Sequence, residues 1–154
     1  MDALTAALTW LSQRELSTAQ LRERLARRQV PDAEIERVIA RLTADRTLDD
    51  ERVAMAAART EATVRRRGRR RVLHRLHEIG IARDLAERAV DAVFGDLDEQ
   101  ALLDQAVARS LRGASLASLD RAAAARLVRR LVAQGFDAGA VYARLRRRDP
   151  DADE

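Results

Sequence analysis

The chain has 154 residues, of which 47% are hydrophobic and 3% aromatic, and its formal net charge is +4. Leucine, valine, isoleucine and alanine can form a core, but a part of about fifty residues would be only marginally stable alone. The lack of cysteine argues against a disulfide scaffold. With no long apolar run and no signal-peptide pattern, we expect a soluble cytoplasmic protein that does not enter a membrane.

One apolar pattern occurs three times along the chain. The three copies are Leu21, Leu25, Val30, Ile35, Ile39; Val72, Leu76, Ile81, Ala86, Val90; and Leu127, Leu131, Phe136, Val141, Leu145. Residues four apart lie on one face of an α-helix, and a left-handed residue commonly ends a helix. The residues before the third position of each copy, Gln29, Gly80 and Gly135, are candidates for such turns. Each copy therefore predicts a helical hairpin.

A further apolar periodicity precedes each hairpin and predicts a third helix in every repeat. The residues concerned are Leu4, Leu8, Leu11; Val53, Ala57, Val64; and Leu103, Val107, Leu111. A repeat of about fifty residues indicates units that stabilise one another by stacking. We predict an all-α, elongated body of nine helices in three tandem three-helix bundles, at residues 1–45, 46–94 and 95–148, followed by an acidic tail at 149–154.

Capping signals agree with this division into helices. Ser17 and Gln20 form a capping-box pattern that opens the second helix. An N-cap followed by acidic residues also marks a helix start, because the first turn of a helix favours negative charge. Such starts are Asp49 with Asp50 after Leu48, Asp96 with Glu99, and Ser118 or Asp120. No alternating apolar run predicts a strand.

The charge is unevenly distributed, and all 29 basic residues are arginine. Two basic blocks flank the acidic segment 76–120, and such a distribution suits nucleic acid phosphates or an acidic protein groove. The alternative is a set of solvated helix faces. The candidate contact residues are Arg65, Arg66, Arg67, Arg69, Arg70, Arg71 and Arg75 in the first block, and Arg126, Arg129 and Arg130 in the second. Asp49 and Asp50 are candidates for a helix cap or a partner contact.

Signals for catalysis and metal binding are missing. His74 and His77 are three residues apart, but the sequence has no other histidine and no cysteine to complete a metal site. Phosphate-binding loops and nucleophile motifs are absent too. We therefore expect no metal, no cofactor and no enzymatic activity.

Four segments of the chain resemble the RecX family of regulatory proteins. They are residues 14–25 (RELSTAQLRERL), Leu48-Asp49-Asp50, the basic run from Gly68 to Leu76, and Gly135-Phe136. Their order and spacing cover nearly the whole chain. The resemblance implies a curved stack of three-helix bundles that lies in the groove of RecA filaments on single-stranded DNA. It also implies that the chain modulates, and mostly inhibits, ATP hydrolysis and strand exchange by the recombinase.

Two other functions remain open on the residues alone. A helix-turn-helix-like hairpin could bind single- or double-stranded DNA autonomously, with a basic block as its phosphate contact. The third alternative is a helical adaptor without a nucleic-acid role. Three similar hairpins favour the filament modulator over a reader with one recognition helix. We expect a monomer that binds the RecA filament.

Overall fold

The structure is a computed structural model that describes residues 1–147. Within this range it contains nine α-helices and no strand, which confirms the predicted all-α class. The helices are α1 (Ala3–Gln13), α2 (Thr18–Arg27), α3 (Asp32–Ala44), α4 (Asp50–Arg59), α5 (Arg69–Glu78), α6 (Arg83–Gly95), α7 (Glu99–Leu111), α8 (Arg121–Ala133) and α9 (Ala138–Arg146). A π-helix, Thr60–Val64, continues α4, and a 3-10 turn, Leu116–Ser118, precedes α8. Arg148 and the predicted acidic tail lie outside the described residues.

Side-chain caps explain where most of the helices begin. Ser17 and Gln20 form both hydrogen bonds of the predicted capping box at α2. Asp49 caps α4, since its side chain accepts from the backbone N–H of Arg52 at 3.2 Å. Of the two candidates for α8, Asp120 is the cap. The prediction for α7 was wrong: Asp98 is its N-cap, because Asp96 is still part of the end of α6.

Three hydrophobic clusters correspond to the three repeats. The helices pack mainly as α1 to α3, α4 to α6 and α7 to α9, which we call the first, second and third units. Leu25, Leu76 and Leu131 occupy equivalent positions in the three clusters, and each is fully buried. The arrangement is consistent with three bundles, whereas the boundaries 1–45, 46–94 and 95–148 stay predictions.

The helix that opens each of the first two units contributes mainly alanine to the core. Leu8 and Val64, which belong to the apolar periodicity that predicts these helices, are exposed. The core-facing residues are Ala3, Ala6 and Ala7 in α1, and Val53, Ala54, Ala58 and Ala62 from α4 onward. The distance between two packed helices depends on the side chains at their contact, so alanine lets the helix axes approach closely. A periodicity of the most hydrophobic residues does not show this. Leu103 and Val107 of α7 are buried as predicted.

The first and second units meet where the α5–α6 turn of the second unit packs against the first residues of α2 in the first unit. The Ser17 hydroxyl, at the start of α2, donates to the carbonyl of Ile79 in the α5–α6 turn. Gly80 follows with a φ of +82°, and a β-carbon there would overlap that of Ala19. Glycine is therefore required for both its backbone conformation and its size.

The second and third units repeat this contact one unit further along the chain. The N–H of Gly68 donates to the carbonyl of Gln134 at 2.8 Å, and the N–H of Arg70 donates to that of Gly135 at 3.2 Å. Gly135 has a φ of +100°, and a β-carbon there would lie 2.5 Å from that of Arg71 and 2.7 Å from the Gly68 carbonyl oxygen. The backbones of the two units are thus in direct contact.

The corresponding turn of the first unit carries no such contact. Gln29 adopts the predicted left-handed conformation, with a φ of +60°. Gln29 is exposed. Only the conformational requirement applies at this position, which explains why a residue other than glycine is tolerated.

We expect Leu76→Ala to lower the free energy of unfolding by about 2–5 kcal/mol, because it leaves a cavity in the fully buried centre of the second unit. Thermal or denaturant unfolding measures the loss. An unchanged stability would contradict the alignment of Leu76 with Leu25 and Leu131.

We expect Gly135→Ala to destabilise the chain more than Gly113→Ala. Both glycines have positive φ, but nothing lies within 4 Å of a β-carbon at Gly113. The left-handed conformation should cost about 1–2 kcal/mol in either variant. The overlap with Arg71 should add about 1–3 kcal/mol in Gly135→Ala alone. Equal unfolding free energies for the two variants would contradict a close contact between the units.

Candidate functional site

A cleft of about 290 Å³ lies between the second and third units, and six of the nine described residues that line it are arginine. Its lining residues are Arg65, Arg66, Arg67, Ala106, Arg109, Ser110, Arg112, Arg130 and Gln134. No acidic side chain lines it within residues 1–147. Residues from three separate stretches of sequence thus form one strongly positive concavity.

Local backbone features place the arginines around the cleft. The π-helix ends at Val64, and Arg66 takes a left-handed conformation with a φ of +55° in the loop that leads to α5. Arg112 ends α7 with a φ of +50°. The left-handed conformation costs free energy in a residue other than glycine, and residues that adopt it often lie at functional sites. Short π-helices also occur frequently at functional sites. The backbone contacts of Gly68 with Gln134 and Gly135 hold the two walls together.

One buried carboxylate lies next to the cleft. Glu61, in the π-helix, has a side chain that is only 8% exposed and lies 3.3 Å from the guanidinium of Arg65. Arg75 of α5 approaches the same carboxylate at 4.0 Å. Glu61 therefore offsets part of the repulsion among the arginines and fixes the position of Arg65, a role that the sequence interpretation missed.

The other five arginines of the cleft are not neutralised in this way. Within the described residues, no ion pair is formed by Arg66, Arg67, Arg109, Arg112 or Arg130. Elsewhere among residues 1–147 some arginines have acidic partners, as Arg22 has Glu36 at 2.8 Å, and others have none, but in the cleft five arginines without an ion pair line one concavity. The positive charge is thus concentrated where the two units meet.

Several arginines of the predicted first block are engaged inside the protein instead. Arg69 pairs with Glu99 of α7 at 3.0 Å and with Asp91 of α6, and it lies over the ring of Phe94. Burial would lower the pKa of Arg69, but the hydrogen bonds to these two carboxylates outweigh it and raise the pKa. Arg69 therefore stays charged and links the second and third units.

Two more residues of this block have acidic partners on the surface. Arg75 donates to Glu78 at 3.2 Å, and this hydrogen bond holds the pKa of Glu78 below its ordinary value. Arg70 lies 3.6 Å from Asp137 of the third unit. Arg71 is exposed and has no ion pair among residues 1–147.

The three candidate arginines of the second block all lie on α8, but they line different surfaces. Arg130 lines the main cleft and also an adjoining hollow of about 170 Å³, which Arg126 lines as well. Arg129 is exposed and lines neither. The structure thus brings Arg65, Arg66, Arg67 and Arg130 together, although more than sixty positions separate Arg67 from Arg130 in the sequence.

Arg109 and Arg112 are cleft residues that the sequence interpretation missed. They lie in the segment 76–120, which carries net negative charge, so a count of charge along the chain hides them. The available signal was their position at the end of a predicted helix, where both can face one neighbour.

The remaining candidates have local roles in the described structure. Asp49 is a helix cap, and Asp50 accepts from the backbone N–H of Thr18 at 2.7 Å, which joins the first two units. His74 pairs with Glu78 at 2.9 Å. Residues 1–147 contain no cluster of three or more side chains suited to hold a metal ion. No helix in that range is long and apolar enough to cross a membrane.

Comparison with known proteins shows which regulatory proteins this helical array resembles. The family described as RecX, first three-helix domain, matches residues 3–42. The regulatory protein RecX of Geobacillus thermodenitrificans is 28% identical over 134 residues, which cover 87% of this chain and 49% of that protein. The chain thus spans about half the length of this curated relative.

Two solved structures have the same fold. RecX from Lactobacillus salivarius superposes with a TM-score of 0.77 at 20% identity, covering 92% of this chain and 90% of that one. A second structure, of regulatory protein RecX, gives a TM-score of 0.76 at 18% identity, covering 93% and 69%. The chain is thus similar to RecX regulatory proteins in sequence, matches their first three-helix domain at residues 3–42, and has the fold of their solved structures.

We expect Glu61→Gln to destabilise the second unit by about 1–3 kcal/mol, because it removes the buried charge that Arg65 and Arg75 approach. The loss should shrink as salt is added, since ions screen the remaining repulsion. Glu87→Gln is the matched control, because Glu87 forms an exposed pair with Arg83 and should change stability by under about 1 kcal/mol. Equal effects of the two substitutions on thermal unfolding would contradict this role of Glu61.

Proposed function

We propose that this protein binds the groove of RecA filaments on single-stranded DNA and restrains their ATP hydrolysis and strand exchange. The similarity of the chain to RecX regulatory proteins carries the proposal. A stack of similar units suits a filament, since equivalent surfaces of successive units can meet successive protomers. It acts as a monomer in the cytoplasm, and it has no catalytic role of its own.

The arginine-rich surface supplies the contacts in this proposal. The contact residues are Arg65, Arg66, Arg67, Arg69, Arg70, Arg71, Arg75, Arg126, Arg129 and Arg130. Of those on the cleft, Arg66, Arg67 and Arg130 meet the partner directly, because they form no ion pair within residues 1–147, whereas Arg65 is held by Glu61. Arg69 contributes mainly by holding the second and third units in their relative position, since Glu99 and Asp91 occupy its guanidinium.

The test compares RecA-catalysed ATP hydrolysis on single-stranded DNA with and without the protein. The variant carries Arg65→Ala, Arg66→Ala, Arg70→Ala and Arg71→Ala, which remove four positive charges from the first block. The concentration needed for half of the effect should rise at least about tenfold, because hydrogen bonds to charged groups are lost. The matched control loses four exposed arginines of the first two units: Arg14, Arg37, Arg41 and Arg88.

Each outcome of this comparison separates the functions. Equal loss of effect in the variant and the control would assign the effect to net charge and contradict a role for the block. If the wild-type protein leaves hydrolysis unchanged but binds bare DNA with sequence preference, an autonomous helix-turn-helix-like reader replaces the proposal. If it affects neither, the adaptor function replaces it. For any binding to single-stranded DNA, each lost phosphate contact should flatten the plot of log affinity against log salt by about 0.7.

A further inference from the structure

The cleft between the second and third units has the size and charge of a ligand site. At about 290 Å³ it lies at the lower end of the volumes that small-molecule sites occupy. It is therefore suited to a compact group and not to a whole folded element. Its lining contains one alanine besides its polar and arginine residues, so an apolar ligand would gain little there.

The electrostatics point to a ligand with several negative charges. Six arginines line one cleft, and within residues 1–147 only Arg65 among them has an acidic partner, Glu61. Bringing like charges together costs free energy that a counter-charge recovers. A single carboxylate would leave most of these groups unmatched, whereas adjacent phosphates present several oxygens to arginine forks.

The cleft is also a preformed feature. Gly68 and Gln134 join its two walls through a backbone hydrogen bond of 2.8 Å, and Arg69 bridges the same units through Glu99. Arg66 and Arg112, one from each wall, hold left-handed conformations that cost free energy in non-glycine residues. A site that exists before its ligand arrives loses less conformational entropy on binding.

We propose that this cleft binds two or more adjacent phosphate groups, with Arg66, Arg67, Arg109, Arg112 and Arg130 as their ligands. The same chemistry has two sources, a free oligophosphate such as the phosphate chain of a nucleotide, or the backbone of a single-stranded nucleic acid. Ser110 and Gln134 add neutral hydrogen-bonding groups to the cleft. The site belongs to this chain alone and does not depend on the RecA filament.

Isothermal titration calorimetry at low salt tests the site with tripolyphosphate and, separately, with an oligothymidylate. The main variant carries Arg66→Asn and Arg112→Asn, because asparagine tolerates the left-handed conformation that both positions require. A second variant, Arg130→Ala, lies within helix α8 and leaves the loops unchanged. The control carries Arg37→Ala and Arg41→Ala, which remove the same charge from exposed positions on α3.

The proposal predicts saturable binding of at least one probe to the wild-type protein. Affinity should fall about tenfold for Arg130→Ala and about a hundredfold for the double variant, while the control stays within about threefold of the wild type. Binding of tripolyphosphate assigns a free oligophosphate as a sufficient ligand, and binding of the oligothymidylate alone assigns the nucleic acid backbone. Equal weakening in the control and the double variant, or no saturable binding of either probe, would overturn the site. Because RecA is absent from this titration, its result is independent of the hydrolysis assay.

Discussion

The architecture depends on one repeated contact, in which the turn of a helical hairpin lies against the start of the second helix in the preceding unit. At both junctions a glycine with positive φ makes this contact possible, Gly80 against Ala19 and Gly135 against Gly68 and Arg71. Backbone contact of this kind leaves little freedom of position, because no flexible side chain separates the two units. The relative placement of the units, and with it the cleft between the second and third, follows from these few atoms.

This contact between units also forms the cleft, because it brings together arginines that are far apart in the sequence. Two arginine blocks and an apparently acidic segment contribute to one concavity because the third unit packs against the start of α5. Acidic residues are used elsewhere, as partners of Arg69, Arg75 and Arg22. The clustering of six arginines in one concavity without an acidic lining residue in the part of the chain that the structure describes, and not the total charge of the chain, distinguishes the cleft from the rest of the surface.

Equivalent positions of the three repeats carry different residues where their surroundings in the structure differ. Gln29 occupies the position of Gly80 and Gly135 but faces solvent, so it needs only a left-handed backbone. Ser17 occupies the position of Gly68, and there its hydroxyl replaces a backbone contact by donating to Ile79. The curated relative is about twice as long as this chain, and a repeat of this kind can be extended without altering the contacts inside a unit.

The sequence by itself determined the all-α class, the nine helices, the left-handed turns and the hairpin core positions such as Leu25, Leu76 and Leu131. These follow from local periodicity and from caps within a few residues of each helix end. Tertiary structure decided the rest. Burial of Ala54 and Ala58 in place of Val64 depends on how closely helices approach, which hydrophobicity does not encode. Contacts between units bring Arg112 and Arg130 close to Arg66, and they also pair Arg69 with Glu99. The order of charges along a sequence does not tell which of them meet in space.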